Sequence, residues 1–379
     1  MTKKIISLLL YIICIVTTLN AQSSKAEEGI QKVMKENKAV GFSVAVVKHN
    51  KIVYTHSFGM KDIDKGTVLS DNDIFRIASI SKSFSATSIM QLVEANKLSL
   101  DDDFSNLVGF KVRNPKYPNT VITLRMIMSH TSSVNDSQGY FTLDAINPAK
   151  NTDWSKCYND YEPGKGYAYC NLNFNMTGAV IERYSGERFD QYVKHHILDP
   201  LGLYGGYCVD SLDKSKFVTL YEYNKDSAKF IAASAAYNPR SEEIKNHILG
   251  VTTPLFSPTG GMKISATDLA KYMIMHSRHG KYNGGRIISK KSSIQMQTKI
   301  SEDEGYGLAL ETTDKLIPGE TMCGHTGSAY GLSSAMFFNV KKKFGIVVIC
   351  NGFEASYDTG FNAGIKSAVN VLYDAFIKE

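Results

Sequence analysis

Three short stretches carry side chains that together can do acyl-transfer chemistry. In Ser79-Ile80-Ser81-Lys82 a hydroxyl and an amine stand three residues apart. On a helix that spacing puts them on one face, so the amine can take the hydroxyl proton. The run opens a helical pattern carrying Phe84, Met90 and Val93. At a helix N-terminus the serine lies among unpaired backbone N–H groups and the positive end of the dipole, which favours an alkoxide-like nucleophile and the oxyanion that follows attack. The second stretch, Tyr169-Cys170-Asn171, ends the segment Glu162-Pro163-Gly164-Lys165-Gly166-Tyr167-Ala168 just before another helical pattern. A phenol held near an ammonium group can have its pKa depressed, so it could pass a proton to the leaving group and later activate water. Asn171 offers an amide to a substrate carbonyl. The third stretch, His325-Thr326-Gly327, runs into Ser328-Ala329-Tyr330-Gly331. Small residues on a strand edge let a substrate backbone approach and pair as an extra strand. The Ser328 N–H would complete an oxyanion hole with that of Ser79.

Each signal alone is weak. The first pattern recurs at Ser211-Leu212-Asp213-Lys214, where the internal acid points to a solvated loop, and the second recurs at Tyr117-Pro118-Asn119 in a chain with 21 tyrosines. A lone histidine is more often structural than catalytic. Order and surroundings carry more weight. Phe75-Arg76-Ile77-Ala78 precedes Ser79, and the chain also contains Leu124-Arg125-Met126-Ile127-Met128-Ser129-His130-Thr131-Ser132 and Ser257-Pro258-Thr259-Gly260-Gly261-Met262. Together, over residues 25–378, these resemble the class C β-lactamase and D,D-peptidase family of penicillin-binding serine enzymes. The resemblance implies Ser79 as acylated nucleophile, Lys82 and Tyr169 as its proton-transfer partners, and Asn171, His325, Thr326, Gly327 and Ser328 as substrate contacts. Two positions depart from the family pattern: His325 stands where many members have lysine, removing a permanent charge for a substrate carboxylate, and Ser133 stands where glycine is usual. If His325 has to be protonated to hold an anion, activity should fall as pH rises through about 6.5.

The elements that must position these groups can also be read. Residues 24–38 show helical spacing at Ile30, Val33 and Met34. A hairpin follows, Phe42 to Val47 and Ile52 to Phe58, around His49-Asn50-Lys51. The far end mirrors it: Leu332 to Val340 and Phe344 to Cys350 bracket three lysines, and Ile365, Val369, Leu372 and Phe376 form one stripe of a last helix. Between them, helices are expected over 172–185, over 188–197 stopping before Pro200, and from Ser265 or Thr267 to about Ser277. The fold class expected is α+β, a central antiparallel sheet flanked by helices. Residues 22–78 and 255–379 would form an α/β lobe, residues 79–254 a mainly helical lobe, and the catalytic site would lie at their seam.

Residues 1–21 have the parts of a cleaved export signal: Lys3 and Lys4, an apolar run from Ile5 to Val16, and a polar stretch reaching Ala21. Lipid attachment at Cys14 is disfavoured because Ile13 precedes it. The protein is thus expected to be periplasmic or secreted, without stable membrane insertion. Loss of the signal lowers the formal charge of +6 to about +4, with no basic stripe of the kind a nucleic-acid partner needs. The five remaining cysteines, an odd number without C-x-x-C spacing, read as mostly buried free thiols, with one bridge left open. Nine scattered histidines without H-E-x-x-H give no reason to invoke a metal or cofactor, and the absence of G-x-S-x-G disfavours an α/β-hydrolase. The expected partner is a small-molecule or peptide substrate. The resemblance leaves four substrate classes, D,D-peptide or D-amino-acid peptide, β-lactam, ester, and acyl transfer to an alcohol or amine, and His325 tilts the expectation towards a peptidase or esterase-like hydrolase with β-lactam turnover weak or incidental. A penicillin-binding sensor without turnover is the alternative of a different kind, disfavoured by the presence of both Lys82 and Tyr169.

Overall fold

A computed structural model describes residues 21–378; the export signal read at 1–21, with Cys14, lies outside the described residues apart from Ala21. Both ends of the chain build one antiparallel sheet. From the N-terminal side come β1 (Gly41–Lys48), β2 (Lys51–Asp62) and β3 (Thr67–Val68). From the C-terminal side come β4 (Glu311–Thr313), β5 (Met322–Ala329), β6 (Leu332–Asn339) and β7 (Phe344–Cys350). The order is β4-β5-β6-β7-β1-β2-β3, so strands from opposite ends of the chain meet at the centre, with Val44 opposite Val348. The hairpin between β1 and β2 turns on His49 and Asn50, both at positive φ (53° and 59°), the conformation a two-residue turn needs to match strand twist.

Five helices frame the sheet and the site: α1 (21–36), α2 (Ser81–Glu94), α3 (Asn171–Ser185), α4 (Ala266–Ser277) and α5 (Ala363–Phe376). The period-2 alternation of the strands sorts their side chains into two cores. Phe42, Val44, Val46, Phe337, Ile346 and Val348 pack with Ile30 of α1 and with Ile365, Val369, Leu372 and Phe376 of α5. Ala45, Val47, Met336, Phe338, Val347 and Ile349 join the larger core under α2, α3 and α4. Covering on both faces explains why β1, β6 and β7 are almost wholly buried instead of alternating in and out. α3 ends where Gly186 takes φ 77°, and α4 begins with the Ser265 hydroxyl accepting the Asp268 N–H at 3.1 Å.

One expected boundary differs. Pro200 does not stop the segment that begins near residue 188. A short helix, Phe189–Val193, widens into a π turn at Lys194–Leu198, and a last helical turn, Asp199–Leu201, carries Pro200 in its first positions before Gly202 ends it at φ 64°. Proline is tolerated at the start of a turn because its missing N–H has no partner to lose there, and the wide turn ahead gives the ring room. Cys157, Cys170, Cys208, Cys323 and Cys350 are all buried and free. No helix among the described residues is long and apolar enough to cross a membrane.

Candidate active site

Ser79 sits in the middle of a 3₁₀ turn, Ala78–Ile80, that feeds directly into α2. Ala78 adopts φ 49°, a left-handed conformation unusual for a residue with a side chain, and the surrounding bonds hold it there. The Ile77 N–H donates to the Met262 carbonyl at 2.9 Å, the Met262 N–H to the Ser81 hydroxyl at 3.0 Å, and the Tyr207 hydroxyl to the Ser81 carbonyl at 2.8 Å. α2 is buried on nearly every side although it reads SKSFSATS. Three of its hydroxyls are satisfied locally, Ser83 donating to the Ile80 carbonyl, Thr87 to that of Ser83 and Ser88 to that of Phe84, at 2.7–3.0 Å, and Ser85 donates to the Pro258 carbonyl at 3.0 Å. A helix buried on every side over Ser81–Met90 gives the nucleophile a rigid base.

Lys82, one turn along, is fully buried. Its Nζ lies 3.0 Å from Ser79 Oγ, 3.0 Å from Asn171 Oδ1 and 3.1 Å from the Thr259 carbonyl oxygen. Burial pulls its pKa down to about 7, with the charge of Asp136 opposing the shift. The three neighbours suit an amine that exchanges one proton with Ser79, whose hydroxyl accepts from the ammonium and donates to the free base. Asn171 Oδ1 and the Thr259 carbonyl can only accept, so they take two N–H bonds in either state, and in the free base the lone pair faces the one neighbour with a proton to give, Ser79.

Asp136 fixes that arrangement from behind. Its Oδ2 accepts the Asn171 backbone N–H at 2.8 Å and the Asn171 side-chain Nδ2 at 3.0 Å, while Oδ1 accepts the Leu172 N–H at 2.9 Å and the Cys170 thiol at 3.2 Å. It thereby caps α3 and sets the amide of Asn171, whose Oδ1 must then face Lys82 and the Thr259 hydroxyl, 3.0 Å away. Most of the Asn171 side chain thus serves Lys82. One hydrogen of its Nδ2 remains for a substrate carbonyl.

Tyr169 covers the other side of the pair, its ring centroid 4.7 Å from Lys82 Nζ and its surface 40% exposed. Desolvation raises the phenol, with the Ser79 hydroxyl acting in the opposite direction. The depression expected from a nearby ammonium does not occur, because desolvation of the phenol outweighs it. His130 lies 4.4 Å from Tyr169, ring to ring, and accepts the Cys170 N–H on Nδ1 at 3.1 Å. Burial, then Lys82 and His325, push it well below the usual imidazole range.

His325 is likewise buried, and desolvation followed by Lys82 takes it down to about 3. Nδ1 faces the Thr326 carbonyl and so carries the hydrogen; Nε2 therefore accepts from the Tyr306 hydroxyl at 2.9 Å. A neutral imidazole holds no carboxylate, so the fall in activity through pH 6.5 expected for a protonated His325 has no basis here. Gly327 passes so close that a Cβ would collide with the Ile77 carbonyl oxygen and the Ser334 hydroxyl. β4 pairs only with Met322, Cys323 and Gly324, leaving the Thr326–Ala329 end of β5 open along that edge.

Ser79, Tyr169, Asn171, His325, Thr326 and Ser328 line one cleft of about 690 Å³, with Lys82 directly behind Ser79. Ser211 lies elsewhere on an exposed turn, its hydroxyl bonded to the Cys208 carbonyl at 2.9 Å. Tyr117 donates to the Asp160 carbonyl outside the cleft. The adjacent pair His195 and His196 is exposed and bonded to Glu187. Sequence reasoning missed Asp136, Thr259, His130 and Tyr306 as parts of the site. Thr259 and His130 fall inside stretches that carry the family resemblance, and Asp136 follows one of them.

A family model described as Beta-lactamase matches residues 26–368. Protein flp from Staphylococcus aureus (strain MW2) is 23% identical over 343 residues, covering 88% of this chain and 64% of that relative, so the chain spans just under two thirds of its length. A penicillin-binding protein homologue from Pyrococcus abyssi, described as octameric, has 26% identity and a TM-score of 0.72 over 93% of this chain and 76% of its own. EstCE1, described as a hydrolase with promiscuous acyltransferase activity, has 20% identity and a TM-score of 0.71 over 95% of this chain and 99% of its own.

Proposed function

Because the chain belongs to the Beta-lactamase family of serine hydrolases, matched over residues 26–368, we propose that it is an exported hydrolase working through an acyl-enzyme on Ser79, acting on peptide-like amides or esters. The observation that carries this reading is the valence match at Lys82: two fixed acceptors at 3.0 and 3.1 Å and one hydroxyl at 3.0 Å. In the cycle, the Lys82 lone pair takes the Ser79 proton as Oγ bonds to the substrate carbonyl carbon. The electron pair pushed onto the carbonyl oxygen is held by the Ser79 and Ser328 N–H groups. Collapse expels the leaving nitrogen or oxygen, which receives the proton from Lys82 through the Tyr169 hydroxyl, and water entering by the same relay frees the acid and restores Ser79. A phenol raised by its surroundings stays protonated and is suited to relay, with the amine as the base.

The acyl-enzyme is common to hydrolysis and to transfer onto an alcohol or amine; transfer is the second reading, favoured by the open cleft beside Ser79 and by the likeness to EstCE1. Export rests on the residues before 22 alone. The division into lobes at 22–78 with 255–379 and at 79–254, the site between them, is part of the same proposal. Intact-mass trapping with a fluorophosphonate tests the nucleophile. One adduct is expected, lost in Ser79→Ala and kept in Ser211→Ala, and the reverse pattern would overturn the assignment. Repeating the incubation with D-peptides, esters and β-lactams, with and without an alcohol, separates the substrate classes.

A further inference from the structure

The charges lining the cleft are Arg76, Glu222 and Glu311. Arg76, the one lysine or arginine among them, is already committed. Its Nε donates to the Gly260 carbonyl at 2.9 Å, Nη1 to the Ala236 carbonyl at 3.2 Å and Nη2 to the Ser257 hydroxyl at 3.3 Å, with the guanidinium 4.8 Å over the Tyr330 ring. Lys82 is enclosed behind Ser79, and His325 is neutral. Glu311 is different. It opens β4 opposite Gly324, beside His325, and its carboxylate has no ion pair or hydrogen-bond partner among the described residues. It also lines a second cavity of about 400 Å³ that shares Thr326 with the cleft. Its field reaches the phenols of Tyr167, Tyr169 and Tyr306.

We propose that Glu311 makes this cleft selective for amide or ester substrates that carry an ammonium group close to the scissile bond. The inference rests on the Ser79 acyl-enzyme reading and adds the charge class of the substrate. Among the residues lining the cleft, a carboxylate-bearing substrate would meet Glu311 with no uncommitted cation to offset it, Lys299 and Lys315 lining the second cavity instead, whereas an ammonium supplies the partner the carboxylate lacks. Desolvation, with Glu304 adding and Lys315 opposing, raises the Glu311 carboxyl to about 7. An arriving cation completes its ionisation, so selectivity for the ammonium grows as pH rises through neutrality. Tyr167, Tyr169, Tyr306, Cys323 and His325, which also face it, keep their charge state over that range, Glu304 and Lys315 being its charged neighbours, and the Lys82 dependence is common to charged and neutral substrates.

Two matched pairs test this. One is phenylalanine p-nitroanilide, in each configuration, against its N-acetyl derivative. The other is acetylcholine against its neutral isostere with a tert-butyl group in place of trimethylammonium. In at least one pair the ratio of kcat/KM for the cationic over the neutral member should exceed one and drop about tenfold in Glu311→Gln, chiefly through KM, and in the acetylcholine pair, whose cation does not titrate, it should also rise with pH through about 7. A ratio unmoved by Glu311→Gln in both pairs, or turnover of the neutral members alone, overturns the proposal. Fluorophosphonate labelling of the same variant reports that the fold and Ser79 are intact. Failure of the wild-type protein to label would strike the acyl-enzyme reading instead.

Discussion

Replacing Asp136 by asparagine removes a negative charge that reaches Lys82 through one amide. The path is 3.0 Å from Asp136 Oδ2 to Asn171 Nδ2, across the amide, and 3.0 Å from Asn171 Oδ1 to Lys82 Nζ. The charges are then separated by roughly 7 Å, where a unit pair at an effective dielectric of ~20 interacts by about 2 kcal/mol, or about one and a half pH units on the amine. Asp136 works against the desolvation that brings Lys82 to about 7, so its loss takes the amine lower still. The free base then exists at lower pH, and the acidic limb of kcat/KM should move down by about one to two pH units. The assay is kcat/KM against pH for a neutral ester, with the rate of fluorophosphonate labelling measured in parallel. Asparagine keeps an acceptor for the first N–H groups of α3, so the protein should stay folded at a cost of about 1–3 kcal/mol, read from its melting. A limb that stays in place, or moves to higher pH, would refute the coupling of Asp136 to Lys82.

Lys82→Ala should slow Ser79 labelling by about 10²–10⁴-fold, the usual range for losing a positioned base, and an unchanged rate would remove the amine from the mechanism. Gly327→Ala should block labelling without unfolding the sheet, because its Cβ would displace the Ile77 carbonyl and so the turn that carries Ser79; circular dichroism separates this from misfolding. Phe84 is fully buried and stacks on Tyr272 at 3.8 Å between centroids, so Phe84→Ala should cost about 3–5 kcal/mol in denaturant unfolding.

The groups that could be found in the sequence are those whose partners lie within one turn or one strand. Ser79 and Lys82 meet because three residues separate them on α2, and Gly327 announces a close approach by its type. The hairpins and the stripe of α5 follow from periodicity, since both faces of the sheet are apolar. Asp136 and Thr259 carry no such local mark. They reach Lys82 from an irregular loop and from a turn 177 residues away, and only the packed fold sets those distances. The charge states of Tyr169 and His325 were unreadable for a related reason. Their sequence neighbours do not reveal how completely water is excluded, and exclusion decides both. Pro200 shows the same limit at the level of the backbone, where a π turn supplies room that no propensity scale anticipates.

The pairing of β1 with β7 constrains how the protein comes into being. Partners near residues 42 and 350 lie some three hundred positions apart along the chain, so this contact closes a very long loop and should be among the slower steps of folding. Until the last strand arrives, β1 lacks a hydrogen-bonded neighbour on one side at the middle of the sheet. A chain shortened before residue 344 would therefore lose an internal strand, not an edge. Truncation from that end should leave an aggregation-prone remnant with a dismantled nucleophile turn, even though Ser79 and Lys82 are themselves intact.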